Sequence, residues 1–192
     1  MYQLVIDRGN TRIKAGIFQH SKLAVIESFS SEAELEHFVN LYPHTIKNGI
    51  IACTGDSLSL QFNFPILYAS TDLSLPYHSA YTTQKTLGID RIALTLAAYN
   101  LYPQKNCLII DMGTCITFDF LDKTGTYHGG SISPGVNMRF KSMQTFTSRL
   151  PLENLTDHNP KLTGNSTAQS LQSGVFYGIF YEIEGIIRAY QK

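Results

Sequence analysis

Two stretches of this chain carry one pattern. Leu4 to Phe18 reads LVIDRGNTRIKAGIF, and Leu108 to Leu121 reads LIIDMGTCITFDFL. Each is an apolar run ending in Asp-x-Gly, followed by short hydrogen-bonding side chains and a second run of strand character. A third strand signal and a helix signal then follow in both places: Lys22–Phe29 with a helix opening at Ser30 or Ser31, and Thr126–Ser133 with a helix opening at Pro134. Self-similarity at this separation confines the chain to two halves that share a β-β-β-α plan. One copy alone would be a tight hairpin with turn residues where turns want them.

The repeated turns have chemical content. Asp7 and Asp111 place carboxylates at strand ends, Gly9 is free to take positive φ and to let a ligand reach the backbone, and Asn10, Thr11 and Thr114 add small polar side chains. Facing one another across a cleft, two such turns grip a polyphosphate through backbone N–H groups. The carboxylates would repel a bare phosphate chain, so Mg²⁺, and with it a monovalent ion, is implied. The expectation is an α/β chain of two ribonuclease H-like halves with mixed sheets, the architecture of actin-like and sugar-kinase-like ATPases. Pro103-Gln104-Lys105-Asn106 sets the boundary, giving halves 1–103 and 104–192, the second incomplete.

Composition narrows the partners. Fifteen basic and fifteen acidic side chains cancel over 192 residues, so no charge excess points to nucleic acid or an anionic membrane. Three cysteines without C-x-x-C spacing read as buried reduced thiols in a reducing cytosol, and six scattered histidines do not suggest a structural zinc site. The N-terminus lacks a signal peptide's charged region, and Val175–Tyr181 meets Glu182 and Glu184 too soon for a membrane span.

In chain order, the first helix has Glu34 placed for a capping box, an apolar face of Leu35, Phe38, Val39 and Tyr42, and Pro43 as its stop. Asn48–Cys53 and Pro65–Ala69 read as strands, with a turn-rich Thr54–Ser57 between them. Residues 70–87 are polar and read as a functional loop. A helix is expected over Gly88–Tyr102, another from Pro134 as an N1 proline to about Arg149, and a long one from Ser166 to Lys192. Gly174, Gly178 and Gly185 inside that last helix imply close helix packing.

Gly88-Ile89-Asp90-Arg91 opens the helix that lies between the two hairpins. Asp90 has two readings: a first-turn acid favoured by the helix dipole, or a general base that takes a proton from an attacking hydroxyl. Arg91 reads either as a surface salt-bridge residue or as a group holding carboxylate or phosphate.

Asp7–Thr11, Gly88–Arg91, Asp111–Thr114, Gly129–Gly135 and Thr167 together cover nearly the whole chain, and in this order it resembles type III pantothenate kinase. The resemblance implies ATP-dependent phosphorylation of pantothenate to 4′-phosphopantothenate, in coenzyme A biosynthesis. By resemblance, Asp7, Gly9, Asn10, Thr11, Lys14 and Thr114 bind ATP, and Asp111 is the ligand of a monovalent cation, K⁺ or NH₄⁺. Asp90 is the proton acceptor, and Tyr81, Gly88, Ile89, Arg91 and Thr167 hold pantothenate. A cytoplasmic homodimer is also implied, with the glycine-bearing last helix suited to its interface.

Two departures stand beside the resemblance. Arg8 occupies a usually neutral position in the first turn. The first half continues past its helix into two strands, whereas the second ends on a helix. Leu108–Asp111 should therefore be a sheet edge, in a chain that is either truncated or completed by another chain. Two other functions fit the same fold: a non-catalytic regulator of the accessory transcription factor kind, and an actin-like kinase for another small molecule.

Overall fold

The computed structural model describes residues 1–9, 12–53, 58–156 and 159–191. The expectations placed on Asn10, Thr11 and Thr54–Ser57 lie outside the described residues. Two compact units are present, Met1–Pro76 with Thr82–Ala97, and Tyr77–Tyr81 with Ala98–Lys192.

The first unit contains β1 (Tyr2–Arg8), β2 (Ile13–Gln19), β3 (Lys22–Phe29), α1 (Glu32–Leu41), β4 (Ile46–Cys53) and β5 (Ile66–Tyr68). The strand order is β3-β2-β1-β4-β5, with β1 antiparallel to β2 and parallel to β4. Hairpins join the first three strands, while the return from β3 to β4 beside β1 takes the longer α1 crossover that parallel strands require. Side chains alternate as the pleat dictates: Leu4, Ile6, Ile13, Ala15 and Ile17 are buried, and α1 covers them with Leu35 and Val39. Ser31 caps α1 by accepting the Glu34 N–H at 3.3 Å, and Glu34 in return accepts the Ser30 N–H at 2.8 Å. Both serines named from sequence therefore serve, one for each half of the capping exchange.

The second unit contains β6 (His78–Ser79), β7 (Cys107–Met112), β8 (Cys115–Leu121), β9 (Thr126–Pro134), α3 (Val136–Phe146) and α4 (Thr167–Tyr190). Its order is β6-β9-β8-β7, with β7, β8 and β9 antiparallel and β6 parallel to β9. Ile116, Phe118, Phe140, Leu171, Val175 and Ile179 form its core, which joins β8, α3 and α4. The remaining helix, α2 (Ile89–Leu101), gives residues 89–97 to the first unit and 98–101 to the second. Thus β1-β2-β3-α1 and β7-β8-β9-α3 repeat one plan, as the echoed sequence required, in an α/β fold with two mixed sheets. In the second sheet β7 is the edge strand among the described residues, also as expected. No helix of the described residues is long and apolar enough to cross a membrane.

Four expectations need correction. Pro134 does not open α3: it ends β9 opposite Cys115, Gly135 is the N-cap, and the helix stops at Phe146. Ladder pairing with β8 holds Pro134 in strand geometry, which proline tolerates at a strand's end. Within residues 70–87, His78–Ser79 pairs with Thr126–Tyr127 and Gln84–Thr86 forms a 3₁₀ turn, so the polar loop is partly ordered structure. Among the described residues, nothing packs closely on the α4 glycines. A Cβ at Gly174 or Gly185 would meet nothing within 4 Å, and at Gly178 only the Arg139 guanidinium at 3.5 Å. The buried residues of α4 are Leu171, Ser173, Val175 and Ile179, whereas all three glycines are exposed. The three cysteines are free but half-buried rather than buried.

Candidate active site

The first turn is built on sheet register. Asp7 lies opposite Lys14 on β2 and Ala52 on β4, on the sheet face away from Leu4 and Ile6. Gly9 closes the turn by donating its N–H to the Arg12 carbonyl at 3.1 Å. Its φ is not in the left-handed region, and a Cβ there would sit an ordinary 3.4 Å from the Arg12 oxygen. Nothing in the described chain demands glycine at this position. What glycine provides is bare backbone.

The second turn has the same character. Asp111, exposed near the end of β7, pairs with Thr117. The Gly113 N–H donates to the Cys115 carbonyl at 2.9 Å, and a Cβ on Gly113 would come no closer than 3.8 Å to that oxygen. Gly135 supports the turn from behind. Its N–H donates to the Thr114 carbonyl at 3.1 Å, and a Cβ there would fall 2.3 Å from the Gly113 oxygen. Here glycine is required by close approach, which lets the N-cap of α3 sit directly on the turn. Arg139 secures the corner, with Nε donating to the Pro134 carbonyl at 2.8 Å and the guanidinium paired to Glu182 on α4.

The third element is the start of α2. Asp90 is half-buried in the first helical turn, and its Oδ1 accepts the Arg91 N–H at 2.8 Å. That carboxylate curls back over Gly88, where a Cβ would lie 2.3 Å from Asp90 Oδ1. Glycine at 88 is thus what leaves room for the acid in its present place. Arg91 is 5 % exposed and Thr95 fully buried, with the Thr95 hydroxyl donating to the Arg91 carbonyl at 2.8 Å. Arg91 is therefore a buried side chain rather than a surface one.

The remaining sequence-named residues divide between the units. Asp7, Gly9, Lys14, Gly88, Ile89, Asp90 and Arg91 belong to the first; Tyr81, Asp111, Thr114 and Thr167 belong to the second. Thr167 is exposed as the first residue of α4, behind the Ser166 cap that accepts the Gln169 N–H at 3.2 Å. Tyr81 is half-buried and follows β6, whose neighbour Ala80 donates its N–H to the Tyr127 carbonyl at 2.9 Å. Sequence reasoning missed Arg139 and Glu182, whose pairing spans a sequence separation that no local pattern reveals.

A family model for type III pantothenate kinase matches residues 3–189. The chain belongs to the type III pantothenate kinase family. Relatives bearing that name include proteins of Flavobacterium psychrophilum, 42% identical over 97% of this chain and 80% of their own, and Christiangramia forsetii, 44% identical over 98% and 80%. A type III pantothenate kinase of Bacteroides fragilis is 40% identical over 97% of this chain and 79% of its own. Among solved structures, a Campylobacter jejuni protein titled as a Baf-family transcriptional activator superposes with a TM-score of 0.58. It covers 95% of this chain and 78% of its own, and at 22% identity the likeness concerns the fold. Membership in the type III pantothenate kinase family places Asp-x-Gly turns, the Gly88–Arg91 helix start and the α4 N-terminus in one chain of kinase descent.

Proposed function

We propose that this chain transfers the γ-phosphoryl group of ATP to the primary hydroxyl of pantothenate, giving 4′-phosphopantothenate, an early step of coenzyme A biosynthesis. The observation that carries the reading is the pair of bare glycines. Gly9 and Gly113 occupy matching turns, yet among the described residues neither a positive φ nor a crowded Cβ accounts for them. A polyphosphate approaching the backbone N–H groups would account for both.

Asp90 takes the proton of the attacking hydroxyl as its oxygen bonds to the γ-phosphorus. The bond from that phosphorus to the β–γ bridging oxygen breaks, and ADP leaves with the electron pair. The groups that bind pantothenate in this reading are Gly88, Ile89, Arg91, Tyr81 and Thr167. Lys14 and Thr114 join the turns on the nucleotide, along with Asn10 and Thr11. Positioning supplies much of the rate, because phosphoryl transfer needs little covalent help from the protein.

Asp7 and Asp111 are hard oxygen donors near the ends of β1 and β7, and no cluster of three or more potential ligands occurs among the described residues. That donor set fits Mg²⁺, which is held by one or two carboxylates together with substrate phosphates, and a monovalent cation at Asp111. When bound, these ions neutralise phosphate charge. A cytoplasmic homodimer completes the proposal, with the exposed Phe180, Tyr181 and Tyr190 of α4 offering apolar area to a second copy.

The test is Asp90→Asn, which keeps size and hydrogen bonding but removes the base. Turnover should fall by about 10²–10⁴-fold while ATP still protects against thermal unfolding. Full turnover in Asp90→Asn would overturn the base assignment.

A further inference from the structure

Two buried side chains of the second unit have no part in the chemistry described above. Asp119, on β8, and Tyr127, on β9, are both completely buried, and the Tyr127 hydroxyl donates to Asp119 Oδ1 at 2.6 Å. Burying a carboxylate is costly, and a hydrogen-bonded phenol is one way to hold it. Their placement gives the pair a use. The Tyr127 ring lies against the ring of Tyr81, centroids 6.1 Å apart at 34°, within the range of favourable aromatic pairs. The Tyr127 carbonyl accepts the Ala80 N–H at 2.9 Å, so the same residue grips Tyr81 by its ring and by its preceding peptide.

Gly129 confines Tyr81 from the strand beside it. Its φ is +90°, and a Cβ there would lie 2.9 Å from Tyr81 Cδ2 and 3.2 Å from Cε2. The ring of Tyr81 thus rests directly on glycine backbone that no other residue could supply without strain. Tyr77, at the start of the same short segment, packs on Tyr127 at 6.3 Å and on Tyr99 at 6.1 Å. A row of buried and half-buried tyrosines, anchored at Asp119, therefore ends at the one tyrosine assigned to substrate.

We infer that Asp119, acting through the Tyr127 hydroxyl, is a positioning residue that fixes Tyr81 for binding pantothenate. This rests on the reading of Tyr81 given under the proposed function. Neither Asp119 nor Tyr127 touches the reacting atoms in this scheme. Their effect falls on acceptor binding, whereas a purely structural pair would affect both substrates and folding alike.

The experiment is a double-mutant cycle on the full chain, with the KM of each substrate, kcat and thermal midpoint measured for Tyr127→Phe, Tyr81→Ala and the double variant. Tyr127→Phe should raise the pantothenate KM by about tenfold, near 1.4 kcal/mol, with the ATP KM unchanged and kcat within about threefold. In the Tyr81→Ala background the same change should have little further effect, since the residue it positions is gone. Asp119→Asn retains an acceptor oxygen and should give a smaller rise. Gly129→Ala, which presses on Tyr81 from the other side, should reproduce the pantothenate-specific rise if Tyr127→Phe does not fold. Equal loss for both substrates, or a Tyr127→Phe effect undiminished without Tyr81, would overturn the inference. An unchanged pantothenate KM in Tyr81→Ala would instead overturn the reading of Tyr81, and the inference with it.

Discussion

Replacing Gly88 by alanine should silence catalysis while sparing the fold. The added Cβ would lie 2.3 Å from Asp90 Oδ1, and its next neighbours stand at 3.5 Å or beyond. Gly88 does not use a left-handed φ, so alanine fits the backbone. The atom in the way is the end of a side chain, and it relieves the clash by moving about 1 Å, giving up or weakening the 2.8 Å bond from the Arg91 N–H. A shift of about 1 Å in a reacting group costs on the order of 10²-fold in rate. Stability should change by no more than about 1 kcal/mol, since alanine lowers unfolded-chain entropy at a compatible site and offsets the lost bond. The assay is ADP formation coupled to a reporter enzyme, run beside a thermal melt. An unaltered kcat would refute the claim that Gly88 holds space for the base. Loss of the folded state would refute the claim that the space serves Asp90 alone.

The glycines of the two turns should behave in opposite ways. Gly9→Ala and Gly113→Ala, which meet no atom of the described residues closer than 3.4 Å, should melt at or slightly above the parent temperature yet bind ATP at least about tenfold more weakly by calorimetry. Gly135→Ala, whose Cβ would fall 2.3 Å and 2.6 Å from backbone oxygens of Gly113 and Thr114, should lose about 1–3 kcal/mol in urea unfolding. Tyr77→Phe should be more stable by about 1 kcal/mol at neutral pH, because the buried Tyr77 hydroxyl has no hydrogen-bond partner among the described residues. Burial, and after it the charge of Asp119, push the Tyr77 phenol up to about 12. The native state then keeps this proton while an unfolded tyrosine loses it near pH 10, so the Tyr77 chain loses stability from about pH 10 to 12 and Tyr77→Phe should not show that component in alkaline melts.

Much of this was legible because local pattern and tertiary role coincide. The repeated apolar-Asp-x-Gly signal predicted both hairpins, and β1-β2-β3-α1 and β7-β8-β9-α3 form as the pattern required. The apolar face of the first helix put Leu35 and Val39 in the core, and the serines before Glu34 serve as its caps. The misreadings occurred where a distant partner decides. Pro134 has the local look of a helix start but is held by Cys115 across the ladder. His78–Ser79 looks like polar loop until β9 lends it a strand to pair with. Gly135 is explained by the turn it touches, and Asp119 reads as one more strand residue until Tyr127 is seen to hold it. Arg91 was open between a surface and a buried role, and its burial is a tertiary property that no local pattern reveals.

The central claim is transfer to pantothenate, and mass spectrometry of the reaction mixture tests it most directly. The chain is incubated with ATP, Mg²⁺, an ammonium salt and pantothenate, and phosphorylated product is compared with ADP. The account predicts 4′-phosphopantothenate in equal amount to ADP, and neither without pantothenate. ADP formed at the same rate without pantothenate, with no phosphorylated acceptor, would contradict it.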